Sequence, residues 1–134
     1  MRYASKLHFL LIRIAKSANG DLQLHPWCQQ KAIVDYCNKH KIIVEAYCPL
    51  VRNLKAHDQT LVQMSKQHGK TTAQILIRYS LQKGWVCLPK SDTPSRIEAN
   101  ADVYGFELSD SDMETLKRLD QGANGSIVQA VKNS

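Results

Sequence analysis

The sequence predicts an α/β fold in which short strands pair in parallel and a helix follows each one. Two observations carry this. Apolar, β-branched runs alternate along the chain with stretches of helical period, which implies parallel pairing through right-handed crossovers. The junctions between these runs also carry caps and breakers, among them Pro26, Pro49, Asp58, Gly69, Gly84 and Ser109.

In chain order, Leu22-Gln23-Leu24 reads as a short strand ended by His25-Pro26. Gln29 to Lys39 is a helix with Ile33, Val34, Tyr36 and Cys37 as its apolar face, and Lys39-His40-Lys41 places positive charge at its C-terminal end. Ile42 to Tyr47 is the second strand, apolar enough to be covered on both faces, and Pro49 stops it. Asp58 caps a helix from Gln59 to His68, which Gly69 ends. Thr71 or Thr72 caps the next helix, Ala73 to Lys83, with Ile75, Leu76, Tyr79 and Ser80 on neighbouring turns and Gly84 closing it. Trp85 to Leu88 is the third strand. A helix capped by Thr93, with Pro94 at its first position, runs to about Ala101. Ser109 caps Asp110 to Leu119, and Gln121 to Ser134 is a polar, mobile tail. Three strand–helix units are too few for a doubly wound domain. They suit part of a (β/α)8 TIM barrel, whose usual length is ~250 residues against the 134 here.

Composition excludes several classes. The chain is 43% hydrophobic and 22% charged, with no apolar run approaching the ~20 residues that cross a membrane. Its net charge of +6 is concentrated at the start, where Arg2, Lys6, Arg13 and Lys16 precede the first acid, Asp21. No basic stripe remains for nucleic acid. Residues 1–21 form an unassigned basic segment: Arg13 interrupts its apolar run, no cleavage site follows, and the fit to a mitochondrial presequence is weak. The preferred reading is a mis-joined exon. Cys28, Cys37, Cys48 and Cys87 form no C-x-x-C pair, which suits reduced thiols and a cytoplasmic location. Cys37 and His40 share a helix face, but no second pair at ligand spacing accompanies them, so no metal is expected. His68-Gly69-Lys70-Thr71 lacks the earlier glycine of a P-loop, with Met64 in its place. Asn124-Gly125-Ser126 is a formal glycosylation acceptor, unused without a secretory signal.

The most informative stretch is Leu88-Pro89-Lys90-Ser91-Asp92-Thr93-Pro94-Ser95-Arg96-Ile97-Glu98-Ala99-Asn100. It gathers two cations, a hydroxyl and backbone N–H groups where a strand end faces a helix N-terminus, as a phosphate requires. A solvated loop is the plain alternative. The Leu-Pro-Lys-Ser run, followed by Arg-Ile and an Asn four residues after the Arg, resembles the signature by which aldo-keto reductases hold the adenosine end of NADPH.

That resemblance implies that residues 22–121 are the sixth to eighth strands of such a barrel with their helices, the first five strands being missing, and that residues 122–134 are a tail. It implies NADP(H) as cofactor, with Lys90, Ser91 and Arg96 on the 2′-phosphate, Asn100 on the adenine and Leu88 opening the motif. Tyr47 would stack on the nicotinamide, Cys48 would stand where Ser is commoner, and Leu50 would lie along the pyrophosphate path. His25-Pro26 would be structural and Trp27 would lie toward the active-site mouth. Two positions depart from the pattern. Ala99 replaces the Glu that usually precedes the Asn. Asp21 replaces a Gln that grips the nicotinamide carboxamide, and a carboxylate cannot donate that hydrogen bond.

The family's catalytic Tyr, Lys, Asp and His come from the first half of the barrel, and none of Tyr3, Tyr36, Tyr47, Tyr79 or Tyr104 has the catalytic context. No catalytic residue is therefore assigned. The expected function is that of a fragment of an NADPH-dependent reductase of aldehydes or ketones, whose partner is a small carbonyl substrate. Self-association through exposed barrel edges is expected as well. The alternative is a non-enzymatic half-barrel that binds NADP or a partner.

Overall fold

The structure, a computed structural model, describes residues 22–127. The expectations for residues 1–21, including Asp21, and for the tail beyond residue 127 lie outside the described residues.

Among the described residues, five helices and two strands follow one another as α1 (Lys31–Lys39), β1 (Glu45–Tyr47), α2 (Gln59–His68), α3 (Thr72–Gln82), β2 (Val86–Leu88), α4 (Pro94–Ala101) and α5 (Asp110–Lys117). Short 3-10 turns at Val51–Asn53 and Gly122–Gly125 punctuate the loops. β1 and β2 pair in parallel with Glu45 opposite Val86, Ala46 opposite Cys87 and Tyr47 opposite Leu88. On the other side of β1, Gln23 forms a parallel bridge to Tyr47, closed by Tyr47 N–H to Leu22 O at 3.0 Å and Leu24 N–H to Tyr47 O at 3.3 Å. Two parallel strands and this bridged segment, in chain order with helices between them, are the predicted arc of a (β/α)8 barrel.

The helix boundaries are set by local chemistry. Asp58 accepts from the N–H groups of Thr60 and Leu61, and Gly69 ends α2 in the left-handed region at φ 62°, where an L side chain is strained. Thr71, rather than Thr72, caps α3, and Gln74 returns the bond to complete a capping box. Ser109 and Asp112 do the same for α5. Leu24, Leu61, Ile75, Tyr79 and Leu116 are fully buried at the centre of the core these helices build over the sheet.

Several expectations are corrected. α1 starts at Lys31, not Gln29, because the Gln29 amide is tied to the carbonyls of Pro26, Leu116 and Lys117 and Gln30 is left-handed at φ 42°. On α1 only Val34 and Cys37 are buried, while Ile33 and Tyr36 face outward. The run into β1 is covered on one face only. Ile42, Val44 and Ala46 are buried, whereas Ile43 is 72% exposed and Glu45 is exposed, the alternation that the strand pleat dictates. Val86 and Leu88, in register with Glu45 and Tyr47, are 43% and 46% exposed on that same open face.

Trp27 is a core residue, 3% exposed, rather than a residue at a mouth. The beginning of the supposed mobile tail is docked. Gln121 N–H donates to Trp27 O at 2.9 Å, the Gln23 amide donates to Ser126 Oγ at 2.9 Å, and Ile127 N–H donates to Gln23 Oε1 at 2.9 Å. Gly125 lies so close to Trp27 that a Cβ there would stand 1.7 Å from the Trp27 carbonyl oxygen.

Candidate functional site

All eight residues singled out for a cofactor lie at or just beyond the C-terminal ends of β1 and β2, or on α4. Tyr47 and Leu88 are the last residues of the two strands and stand opposite one another. Adjacent strands run about 4.8 Å apart, so the segments leaving them start as neighbours. In α/β barrels this is the face that carries ligands.

Beyond β2, Pro89 to Thr93 leads directly into α4, whose first residue is Pro94. Thr93 occupies the cap position but makes no side-chain cap bond, which corrects the expected role of its hydroxyl. Ser91 does related work instead: its hydroxyl accepts from Thr93 N–H at 3.3 Å and lies 3.5 Å from Thr93 O. Arg96 N–H is already bonded to Thr93 O at 3.0 Å, so the helix start offers fewer free donors than expected. The cations are better placed. Lys90 and Arg96 are both exposed, and among the described residues neither has an ion-pair partner. Asn100 is half-buried near the end of α4, where the Gln74 amide holds the carbonyls of Ala99 and Asp102 at 2.9 and 3.0 Å. Lys70 adds an ion pair to Asp102 at 3.0 Å. α4 is thus braced from α3 at one end, leaving its N-terminal turn and both cations open to a ligand. The donor set fits a phosphate monoester: two unpaired cations and a hydroxyl, with no acid bonded to either cation.

Beyond β1, Tyr47, Cys48 and Leu50 are half-buried. The chain turns sharply here through left-handed residues at Cys48, Val51, Arg52 and Asn53, with φ between 49° and 60°. Arg52 is exposed, and the Tyr47 and Cys48 side chains raise its pKa above the ordinary arginine value. Sequence reading passed over this residue. Its one signal was a cation three positions after Pro49, which means little until the turn is known.

Among the described residues no cluster of His, Cys, Asp and Glu is suited to a metal, and Cys37 with His40 forms none. His40 instead packs its ring against Tyr36 at 4.3 Å. Cys87, in β2, has its pKa raised to about 11 by burial, against a smaller lowering by a Ser80 hydrogen bond. No helix among the described residues is long and apolar enough to cross a membrane.

Parallel strands each followed by a helix, with a cation-bearing loop at their C-terminal ends, define an arc of a (β/α)8 barrel. The chain belongs to the aldo/keto reductase family, whose pattern matches residues 15–121. It is 47% identical over 102 residues to an uncharacterised oxidoreductase of Schizosaccharomyces pombe, covering 76% of this chain and 37% of that protein. It is 38% identical over 102 residues to the glyoxal reductase of Bacillus subtilis, again 76% of this chain and 37% of that protein. Among solved structures, a mutant of Gox0644 in complex with NADPH superposes with a TM-score of 0.80 at 31% identity, covering 92% of this chain and 47% of that one. A Bombyx mori aldo-keto reductase in complex with NADP gives 0.68 at 26% identity, covering 75% and 36%. The chain therefore spans less than half the length of the relatives it matches.

Proposed function

We propose that this chain forms the adenosine-binding side of an NADPH-dependent reductase of aldehydes or ketones. Lys90, Ser91 and Arg96 hold the 2′-phosphate and Asn100 meets the adenine. Leu88, Cys48 and Leu50 line the path of the dinucleotide, and Tyr47 lies against the nicotinamide. When bound, NADPH supplies a hydride to the carbonyl carbon. This chain's residues bind and orient the cofactor, and the proton for the carbonyl oxygen comes from elsewhere in the barrel. The tyrosines support that division. Tyr79 is buried in the core with its hydroxyl unpartnered among the described residues, and burial, then the charge of Asp120, push its pKa up, the opposite of what a proton donor needs. Tyr36 is paired with His40, and Tyr104 is exposed on a loop. The name of the Bacillus relative supports a small carbonyl compound as substrate. The open face carrying Val86 and Leu88 supports self-association, or pairing with the complementary part of a barrel.

The observation that carries the reading is the pair of unpaired cations, Lys90 and Arg96, beyond the C-terminal end of β2. Charge-assisted hydrogen bonds to the 2′-phosphate are each worth roughly 1.5–3 kcal/mol, about ten- to a hundredfold in affinity. Fluorescence titration should show NADPH binding more tightly than NADH. Arg96→Ala should weaken NADPH by that factor while leaving NADH nearly unchanged, and salt should narrow the gap. Equal losses for both dinucleotides would assign Arg96 to the fold and refute the phosphate reading. Binding without NADPH oxidation by the purified chain is expected. Turnover lost on mutating one of its own tyrosines would overturn the absence of a proton donor.

A further inference from the structure

We propose that Thr93 is a phosphorylation site for a proline-directed protein kinase, and that its phosphate takes the place of the NADPH 2′-phosphate between Lys90 and Arg96. The second half of the inference rests on the cofactor reading above. The first half stands on Thr93 itself: its hydroxyl, its backbone and the residues that follow it.

The hydroxyl is available. Thr93 is exposed and holds the cap position of α4, where a Thr hydroxyl ordinarily accepts from a backbone N–H of the first turn. It makes no such bond, and among the described residues its side chain has no other partner. Thr93 is held through its backbone instead. Its N–H donates to Ser91 Oγ at 3.3 Å, and its carbonyl accepts from the N–H groups of Arg96 and Ile97, each at 3.0 Å. The side-chain oxygen can therefore receive a group without breaking a contact of the fold.

The residues that follow make the segment recognisable. Thr93-Pro94-Ser95-Arg96 sets a proline directly after the acceptor and a cation beyond it, and all four residues are exposed. Proline has no N–H, so an enzyme groove that leaves that donor no partner admits this segment and rejects most others. Proline also keeps the residue before it extended, and Thr93 lies at φ −103° and ψ 116°. No residue of α4 is fully buried, so its first turn can open at low cost to enter an active site. The transfer moves the γ-phosphoryl group of ATP. A bond forms from Thr93 Oγ1 to phosphorus as the bond to the leaving ADP oxygen breaks, and the hydroxyl proton passes to the kinase's catalytic carboxylate.

The effect follows from charge. A phosphothreonine carries about −1.5 to −2 at pH 7. Thr93 and Arg96 hold the cap and third positions of α4, whose side chains meet when a capping box forms. Lys90 lies on the loop that the Ser91–Thr93 bond folds toward the helix. Among the described residues neither cation has an ion-pair partner, and Asp92 is the one acid between Leu88 and Ile97. Two cations against one acid leave a net attraction for the dianion. A phosphate on Thr93 draws in the charges that hold the 2′-phosphate and repels the one that NADPH brings. NADH lacks that group and is affected less, so the modification is a switch on cofactor preference.

The test treats the full chain with a proline-directed kinase and MgATP, locates the phosphate by mass spectrometry, and titrates both forms with NADPH and NADH by fluorescence. Thr93 should be modified, and Thr93→Val and Pro94→Ala should abolish the modification. The phosphate should weaken NADPH by about tenfold or more, the equivalent of one charge-assisted bond, and NADH by less. Phosphate on Ser91 or Ser95 instead overturns the site, as does none on the chain where a peptide of residues 88–100 is fully modified. A phosphorylated chain with unchanged NADPH affinity, where Arg96→Ala still lowers it, leaves the cofactor reading standing and overturns the switch. Equal losses for both dinucleotides also overturn it, since they mark damage to α4 rather than a filled phosphate site. If the unmodified chain binds neither dinucleotide, the cofactor reading fails and the switch with it, while the mass spectrum still decides the site. Should one variant fail to fold by circular dichroism, the other carries the comparison.

Discussion

Acid should destabilise this chain at a pH well above that at which carboxylates titrate, and the cause is His25. Its ring is fully buried, 6.1 Å from that of Trp27, and neither ring nitrogen has a hydrogen-bond partner among the described residues. Burial, then the positive charge of Lys55, lower its pKa to about 4, with Asp120 opposing them. In the unfolded chain an imidazole titrates near 6.5. The unfolded state therefore binds the proton more readily, so stability is complete above the unfolded value and is lost as pH falls from about 6.5 toward 4. A depression of roughly 2.5 units at ~1.36 kcal/mol each corresponds to ~3 kcal/mol in total, of which about 2 kcal/mol is lost between pH 7 and pH 5. That is a large part of the ~5–15 kcal/mol by which domains are stable. Urea unfolding followed by tryptophan fluorescence at pH 7, 6 and 5 measures the loss. The His25→Gln variant should lack this part of the slope. Parallel curves for wild type and variant would refute the argument, as would an imidazole in the folded chain that titrates near 6.5 by NMR.

Two further outcomes follow from packing. Gly125→Ala would set a methyl 1.7 Å from Trp27 O and 2.5 Å from its carbonyl carbon. The turn would have to lift away and release the Gln121–Trp27 and Ile127–Gln23 bonds, at a cost of ~2–3 kcal/mol. Unchanged urea stability and unchanged amide protection at Gln121 would show that the turn is not docked as described. The open face makes the second prediction. Val86→Lys should reduce concentration-dependent association in sedimentation, because a charge on an exposed strand edge opposes pairing. A wild-type chain that is a monodisperse monomer with a sharp thermal transition would refute the need to cover that face.

What the sequence could disclose was local. Asp58, Gly69, Ser109 and the start of α4 at Pro94 were legible because a cap or breaker acts within a few residues. The Lys-Ser-Arg-Asn spacing was legible because a short loop and one helical turn fix all four residues relative to one another. What was missed depends on distant partners. The Gln29 side chain that delays α1 is held by carbonyls of Leu116 and Lys117, some 88 positions away. Polar composition suggested a mobile tail, and the bonds to Gln23 and Trp27 that dock residues 121–127 have no sequence signature. Ile42 to Tyr47 read as doubly covered because apolar content does not say which face a neighbour occupies. The left-handed turn from Val51 to Asn53 was invisible because Val51, a residue disfavoured there, gives no reason to expect it.

The bond between Gln23 and Ser126 spans 103 positions, so it ties the first described segment to the last described turn. Closing a flexible loop of that length costs roughly 4 kcal/mol of chain entropy if nothing between has yet folded, and far less once the intervening helices are in place. The contact therefore belongs to the end of folding. During synthesis at ~5–20 residues per second, Gln23 leaves the ribosome about 5–20 seconds before Ser126 does. For that interval the segment bearing His25 and Trp27 has no closing turn above it. A chaperone that binds exposed apolar strands would find its target there, and the arrival of Gly125 and Ser126 would end the opportunity.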